Sequence, residues 1–570
     1  MSELISICRI VWEGQKVKRK AIALFQQYRC DIIFLVSLLI AGIKLVLNID
    51  RVSDLRMFDE TMYLASGLHL LADGLPDPQW GPIYSLWYFI LSIFTSDPVN
   101  LHFLNQQVLP VAIVIALYLC LRTLTVSPAI SLATSGLFLM SAILDIDPRP
   151  THFALLILLI TLIVATPTRT AIAYFSRLGI GVLLMSYVRP EYALSVVLIW
   201  AIVIHEMICS FKIEVNRKRN FSEIVLFLLS TILLLISIGN PLSGGRSWFA
   251  FSQHFSLNWA AWHDLRLDPW DHHVDWIPIL FEGADNLAEA FWNSPFLLIR
   301  HILANFNRYL NQSIALLFVS FQSFGWSAVF VDKLIFAEIV LLALVCRHIV
   351  QKRDRILQYL DRNRWRRLAV TAAVLLLAIF PSAILIYPRS HYLVIQSALL
   401  LIILAVLFDA TIAESARQNF KLDRAIAAGS ILVLLTPNLA LGWCTAYDWC
   451  GIPRNLGAVE LPHQNTVNFI RNLNIEKPVQ LLDANGGFAT YFGDNYTWIL
   501  PWDKSRDRDI DEFLKNNKAD AILVTPTLTG HPNFRGDRQF QNLLKNPQSR
   551  GFVEHPIPQT QFRFLLKQTE

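Results

Sequence analysis

The chain has 570 residues, of which 54% are hydrophobic and only 16% charged, and its mean hydropathy is +0.44. One water-soluble core cannot hide that much apolar surface, so much of the chain must face lipid. The formal net charge of +5 does not mark a nucleic-acid binder, because the basic residues sit in short clusters between apolar runs, which is a topology signal.

Lys16, Lys18, Arg19 and Lys20 precede an apolar run from Ile32 to Ile49. No small-residue cleavage site follows, which predicts an uncleaved first span and not a signal peptide. Further apolar runs lie near 101–121, 129–144, 151–166, 172–188, 190–210, 223–239, 333–349, 368–386, 392–409 and 424–442. Each span reverses the side of the membrane, so the basic loops must share one side. With the amino terminus inside they do: Arg122, then Arg169 and Arg177, then Lys212 with Arg217, Lys218 and Arg219, then the run from Arg347 to Arg367, then Arg417, Lys421 and Arg424. The expected fold is a polytopic α-helical membrane domain over 1–443 with about eleven spans, followed by an exterior domain over 444–570. This parity requires 82–95 and 296–330 to be interfacial or re-entrant. Pro76, Pro78 and Pro82 crowd the first, and Arg300, His301, Asn305, Asn307, Arg308, Asn311 and Gln312 interrupt the second. Cys8, Cys30, Cys120, Cys209 and Cys346 fall on or near the reducing side, whereas Cys444 and Cys450 fall outside, where a disulfide and two free thiols are both consistent with the spacing.

Three exterior pieces are large enough to carry function: 50–100, 241–332 and the tail from 444. The tail reads as a small soluble α/β domain, with buried strands at Val479–Asp483 and Ala521–Thr525 and an amphipathic helix over Arg508–Asn517. Asn485-Gly486-Gly487 after the first strand is either a plain turn or a close backbone approach to a ligand. No glycine-rich nucleotide fingerprint opens a helix there. The middle piece gathers Trp248, His254, Trp259, Trp262, His263, Trp270, His272, His273 and Trp276, as an interfacial aromatic belt or as a lid over an active site. Adjacent His272 and His273 lack the i, i+4 spacing of paired zinc ligands.

In the first exterior piece, Asp59 and Glu60 open an apparent interfacial helix with apolar Leu64, Leu68 and Leu71 on one face. They suit either helix-start charges or a reaction site. Asp145-Ile-Asp147-Pro-Arg149-Pro-Thr-His152 fills a very short exterior turn. Its carboxylates could join those of the first loop on a divalent cation (Mg or Mn) or in base work, or could simply be solvated. Arg189, in Val-Arg-Pro-Glu-Tyr, and Arg389, in Tyr-Pro-Arg-Ser-His-Tyr, lie where spans meet the outer surface. At that level an arginine snorkels to headgroups or holds a phosphate.

The Asp-Glu pair followed by Tyr (Asp59, Glu60, Tyr63), the Pro-led interfacial segment Gly81-Pro82-Ile83-Tyr84 and the Asp before Pro at Asp147-Pro148 resemble those of the GT-C membrane glycosyltransferases. Relatives in that superfamily include the protein O-mannosyltransferases and the lipid A aminoarabinose transferases. The resemblance is best over 30 to about 165 and at the two arginine segments. Trp80-Gly81-Pro82 stands where the family often has Lys-Pro or Pro-Pro, and Arg389-Ser390-His391-Tyr392 where it often has Arg-Tyr. What the resemblance implies is a GT-C-like fold and transfer of a sugar from a polyprenyl-phosphate donor to a lipid, glycan or protein acceptor. The site would face the exterior (periplasmic) side of a bacterial inner membrane. Asp59 would be the general base. Glu60 and Asp147 would orient the acceptor or hold a metal, with Asp59 and Asp147 as the ligands of any divalent cation. Arg189, Arg389, His391 and Tyr392 would bind the donor phosphate, and Tyr63, Arg149 and His152 would line the substrate. One rival is a transporter or flippase, for which Lys44 and Glu338 are the ionisable residues within spans. A second is a non-catalytic assembly or polymer-binding protein.

Overall fold

The computed structural model describes residues 28–318, Arg347, 362–415, 460–501 and 509–568, except Val52, Met140, 142–143, 145–148, 211–216, Gly244, Arg266 and Asp268. Among the described residues, six helices are long and apolar enough to cross a membrane: Tyr28–Arg51, Pro98–Thr123, Pro190–Cys209, Asn220–Ser237, Asn363–Leu385 and Ser390–Thr411. Three shorter apolar helices, Pro128–Leu139, Pro150–Ala165 and Ala171–Ser186, match three more of the expected runs. The runs at 333–349 and 424–442, together with Cys444 and Cys450, lie outside the described residues.

Among the described residues, several of the basic side chains that parity assigns to the inside have partners within the bundle. Arg122 pairs with Asp31 at 2.6 Å, Arg177 with Glu223 at 2.6 Å and Arg366 with Glu206 at 2.8 Å. Arg367 donates to the carbonyls of Thr168 and Arg169 at the loop between two spans. The first exterior piece forms at the opposite end of the same helices.

There, helix α1 (Asp59–Leu68) lies against helix α2 (Pro82–Ser92). Pro82 at the first helical position, after Gly81 in the left-handed region, starts α2 where its missing N–H is no loss. The two helices approach so closely that a Cβ on Gly67 would sit 2.5 Å from the Tyr88 Cβ. Within 82–95, expected to be interfacial or re-entrant, the helix has 11 residues.

The middle piece folds into helices α3 (Arg246–Trp262), α4 (Pro269–Leu280) and α5 (Pro295–Phe318). They share a small core that includes Phe251, Phe255, Ile277, Phe281 and Leu298, so part of the aromatic content is simply this core. Helix α5 is two-faced. Phe296, Ile299, Leu303, Phe306 and Leu310 are exposed at the three- and four-residue spacing of one helical stripe, suited to lipid. Its other face is polar: Asn305 donates to the Ile384 and Ile386 carbonyls and His301 bonds that of Leu385. These are the orphan carbonyls that end the span Asn363–Leu385.

The tail contains a five-stranded sheet in the order β2-β1-β3-β5-β4, built from β1 (Val479–Leu482), β2 (Tyr496–Ile499), β3 (Ala521–Val524), β4 (Phe552–Pro556) and β5 (Arg563–Lys567). β1 runs parallel to β2 and β3, and β5 antiparallel to β3 and β4. Side chains alternate across the sheet. Leu481, Ala521, Leu523 and Phe564 belong to the same continuous core as the membrane helices, while Leu482, Ile522, Val524 and Leu565 face a separate core with Phe513, Phe534 and Phe540. Burial on both faces explains why Ala521-Ile-Leu-Val reads as an unbroken apolar run.

Polar contacts fix this domain onto the first exterior piece. Helix Pro462–Arg471 has no side-chain cap of its own; instead Asp54 accepts from the His463 and Gln464 amides, both at 2.9 Å, as an N-cap supplied from another part of the chain. Asp54 also pairs with the His463 ring at 2.8 Å. Burial acts to raise the Asp54 pKa, and the His463 and Gln464 hydrogen bonds outweigh it, leaving the carboxyl below its ordinary value. Arg471 reaches Asp97 at 2.6 Å.

Candidate functional site

The first turn of α1 carries two adjacent carboxylates with opposite surroundings. Glu60 is buried and accepts hydrogen bonds from the Tyr84 hydroxyl at 2.8 Å and from the Tyr88 hydroxyl. Asn105 donates to both tyrosine oxygens at 2.9 Å and is itself oriented by the Trp87 indole at 2.8 Å. Burial, and then the Glu60 charge, push both phenol pKa values far up, so the tyrosines remain donors. Asp59, 100° around the helix, is exposed on the wall of a cavity of about 1960 Å³, and among the described residues it has no hydrogen-bond or ion-pair partner. The two neighbours therefore divide their work: Glu60 holds α1 onto α2 and the span Pro98–Thr123, and Asp59 is presented to the cavity.

Glu60, Tyr63, Arg149, Arg189, Arg389, His391 and Tyr392 border the same cavity. Arg189 pairs with Glu191 at 3.0 Å and lies 4.5 Å over the Tyr392 ring. Burial works against its charge, but Glu191 and the neighbouring phenols hold its pKa above the ordinary value. Arg389 stacks 4.8 Å over Trp270 of α4. His391 lies within electrostatic reach of Arg149, Arg189 and Arg389. Three arginines from three different inter-helix segments thus meet at one level of the bundle.

One sequence-derived candidate falls elsewhere. His152 is fully buried behind Arg149, accepting from its backbone amide at 3.1 Å, and is not part of the cavity wall. Asp145 and Asp147 lie outside the described residues. Among the described residues, no three His, Cys, Asp or Glu side chains gather as metal ligands. Asp59 is the one proposed cation ligand described, and Glu60 is turned into its tyrosine cage. His272 pairs with Asp275 and His273 with the Trp270 carbonyl.

Arg246 is a site residue that the sequence reading missed. Its backbone amide bonds the Gln79 side chain at 3.0 Å, its guanidinium bonds the Gln79 carbonyl and the Tyr63 hydroxyl at 3.3 Å, and it lies 4.3 Å over Trp80. It ties the start of α3 to the first exterior piece. Burial raises the Tyr63 pKa despite this arginine. His254 of α3 is buried, with its Nδ1 at 2.6 Å from the Ala250 carbonyl. Burial and then Arg389 lower its pKa to about 3, so the ring is neutral and Nδ1 is the donor. The middle piece thus walls one side of the cavity with Phe249, His254, Trp270 and His273.

The tail borders another part of the cavity. Gly486 accepts from the Phe58 amide at 2.6 Å and from the Thr61 hydroxyl at 3.2 Å. A Cβ on Gly487, whose φ is +143°, would sit 2.5 Å from the Thr61 hydroxyl oxygen. The Asn-Gly-Gly turn is therefore a docking turn on the start of α1, and it borders the cavity as well.

No protein-family model and no curated protein matches the sequence. Among solved structures, the chain is similar to the archaeal oligosaccharyltransferase AglB from Archaeoglobus fulgidus, in complex with an inhibitory peptide and a dolichol-phosphate. The identity is 12% and the TM-score 0.43, over 88% of this chain and 69% of that one. A likeness that loose carries neither a mechanism nor a substrate across.

Proposed function

We propose that the protein is a GT-C-like membrane glycosyltransferase that moves a sugar from a polyprenyl-phosphate donor to an acceptor on the exterior, periplasmic face of a bacterial inner membrane. The observation that carries this reading is one cavity in which Asp59, a carboxylate with no partner among the described residues, shares the wall with Arg149, Arg189 and Arg389, at the end of the bundle opposite the basic loops. The order of Asp59, Glu60, Tyr63 and Pro82 in the sequence supports it.

The acceptor oxygen or nitrogen attacks the anomeric carbon. The bond from that carbon to the phosphate oxygen breaks, and its electron pair leaves with the phosphate. The acceptor proton passes to Asp59 as general base, and attack opposite the leaving group inverts the anomeric centre. Arg189 and Arg389 stabilise the charge that grows on the leaving phosphate, with His391 and Tyr392 beside them. Ala378, Pro381, Leu385 and Ile386, from the end of one span, give this part of the cavity an apolar floor suited to the first prenyl units. The arginines carry the charge stabilisation, and no step is assigned to a divalent cation.

A transporter would want ionisable groups near mid-membrane. Glu338 lies outside the described residues and Lys44 is engaged by neighbours, whereas the convergent charges sit at a bundle end. Liposomes containing the purified protein and a radiolabelled lipid-phosphate sugar separate the two functions: the proposal expects transfer or release of sugar that requires Asp59, and flipping of intact donor without release contradicts it.

A further inference from the structure

The carboxyl ends of β1 and β3 open toward the same cavity as Asp59. These strands are parallel neighbours in the order β2-β1-β3, so the chain leaving β1 turns to one side and β3 lies on the other. That is a topological switch point, where open α/β sheets leave a crevice. The Thr525 hydroxyl donates to the Asn485 side-chain oxygen at 2.7 Å and fastens the two loops at its base. Asn485, Gly486, Trp498, Thr527, His531 and Arg535 border the cavity from this side. The Trp498 indole N–H is pinned to the Asp483 carbonyl at 2.7 Å, which fixes the plane of its half-buried ring. Size matters here: about 1960 Å³ is roughly twice the upper range for a single small-molecule site, so there is room for two ligands.

We infer that this half of the cavity is the acceptor subsite and that the acceptor it takes is a carbohydrate. The inference rests on the glycosyltransferase reading, which assigns the arginine half and its apolar floor to the lipid-phosphate donor. A lipid acceptor would need a second apolar floor, and the tail instead offers backbone and side-chain polar groups, a fixed aromatic face and the exposed cation of Arg535. An aromatic face packs against the C–H face of a sugar ring while hydroxyls reach the surrounding polar groups. The docking turn places this subsite one residue from Asp59, since Phe58 is bound to Gly486.

The test uses the full chain in nanodiscs and measures binding without turnover, with neutral and uronic-acid-containing tetra- to hexasaccharides, short peptides and polyprenyl phosphate as probes. The wild type is expected to bind oligosaccharides, and Trp498→Ala to weaken them about tenfold, the scale of one aromatic contact, with polyprenyl-phosphate binding unchanged. Arg389→Ala should show the reverse pattern. Arg535→Ala, at an exposed position, serves if Trp498→Ala fails to fold, and should weaken the acidic oligosaccharides selectively. Binding of peptides alone, or oligosaccharide binding indifferent to both tail variants, overturns the inference. Loss of the glycosyltransferase reading is a separate result, namely sugar transfer that does not need Asp59.

Discussion

The Phe58 amide donates to the Gly486 carbonyl at 2.6 Å, across more than four hundred residues of chain. Phe58 itself has φ +59°, a strained value for a bulky residue, and it is the residue that aims Asp59. The tail is therefore one wall of the site and sets the start of α1.

Gly487→Ala tests that coupling. The added methyl meets the Thr61 side chain, and φ +143° is available to glycine alone among ordinary residues. We expect a local cost of about 1–3 kcal/mol, read as faster amide exchange at 484–490 and at the start of α1, with reduced transfer. Unchanged exchange at α1 would mean that the two segments are not coupled.

Glu60 and Asp59 should respond differently to substitution. Tyr88→Phe leaves the Glu60 carboxylate short of a buried donor, at a cost of about 1–3 kcal/mol, and should lower the melting temperature in detergent with little change in the per-molecule rate. Glu60→Gln keeps the shape and one acceptor, and should retain substantial transfer. A Glu60→Gln enzyme that is folded but inactive would move the chemistry to Glu60.

Arg389 is held over Trp270 and is planar, so lysine does not replace it. Arg389→Lys and Trp270→Ala should each raise the KM for the donor severalfold, and the double variant should add little to either, because they share one interaction. Fully additive effects on donor KM would show that the stack does not position the guanidinium.

Asp483 gives the docking turn a pH dependence. Its carboxyl accepts from the Asn485 amide at 2.7 Å, yet burial raises its pKa from 3.8 to about 6. Between those values the folded state binds more protons than the unfolded state, so this group's contribution to stability falls as pH rises from about 4 to 6 and is then constant. Asp54, with its lowered pKa, acts in the opposite sense and below that window. Buried His254 and His273, both lowered, favour the folded state as pH rises through part of the same window, so the readout must be a difference. The gain in melting temperature on going from pH 7 to pH 5 should be more favourable in the wild type than in Asp483→Asn. Equal shifts in the two proteins would contradict a raised Asp483.

The sequence displays what is local. Apolar runs and the side of the basic loops are properties of consecutive residues, and the strands at 479–482 and 521–524 announce themselves by apolar, β-branched runs. The start of α2 was legible from Gly81-Pro82. The cage around Glu60 was not, because Tyr84, Tyr88 and Asn105 are ordinary members of apolar helices until folding brings them to one carboxylate. Arg246 carries no local signal, and only the fold sets it on Gln79, Tyr63 and Trp80. Asn485-Gly486-Gly487 was ambiguous for the same reason: its partner, Thr61, lies 425 residues from Gly486 along the chain. His152, grouped with Arg149 by sequence proximity, is turned inward because its ring caps the start of the helix Pro150–Ala165 by accepting from the Arg149 amide.

The central claim is that Asp59 accepts the acceptor's proton. Its direct test is the single-turnover rate of sugar transfer by Asp59→Asn in proteoliposomes, beside the wild type and with donor binding measured on the same samples. The account predicts a fall of about a hundredfold or more, the scale of a lost general base, with folding and donor affinity retained. A rate within a fewfold of wild type would contradict it.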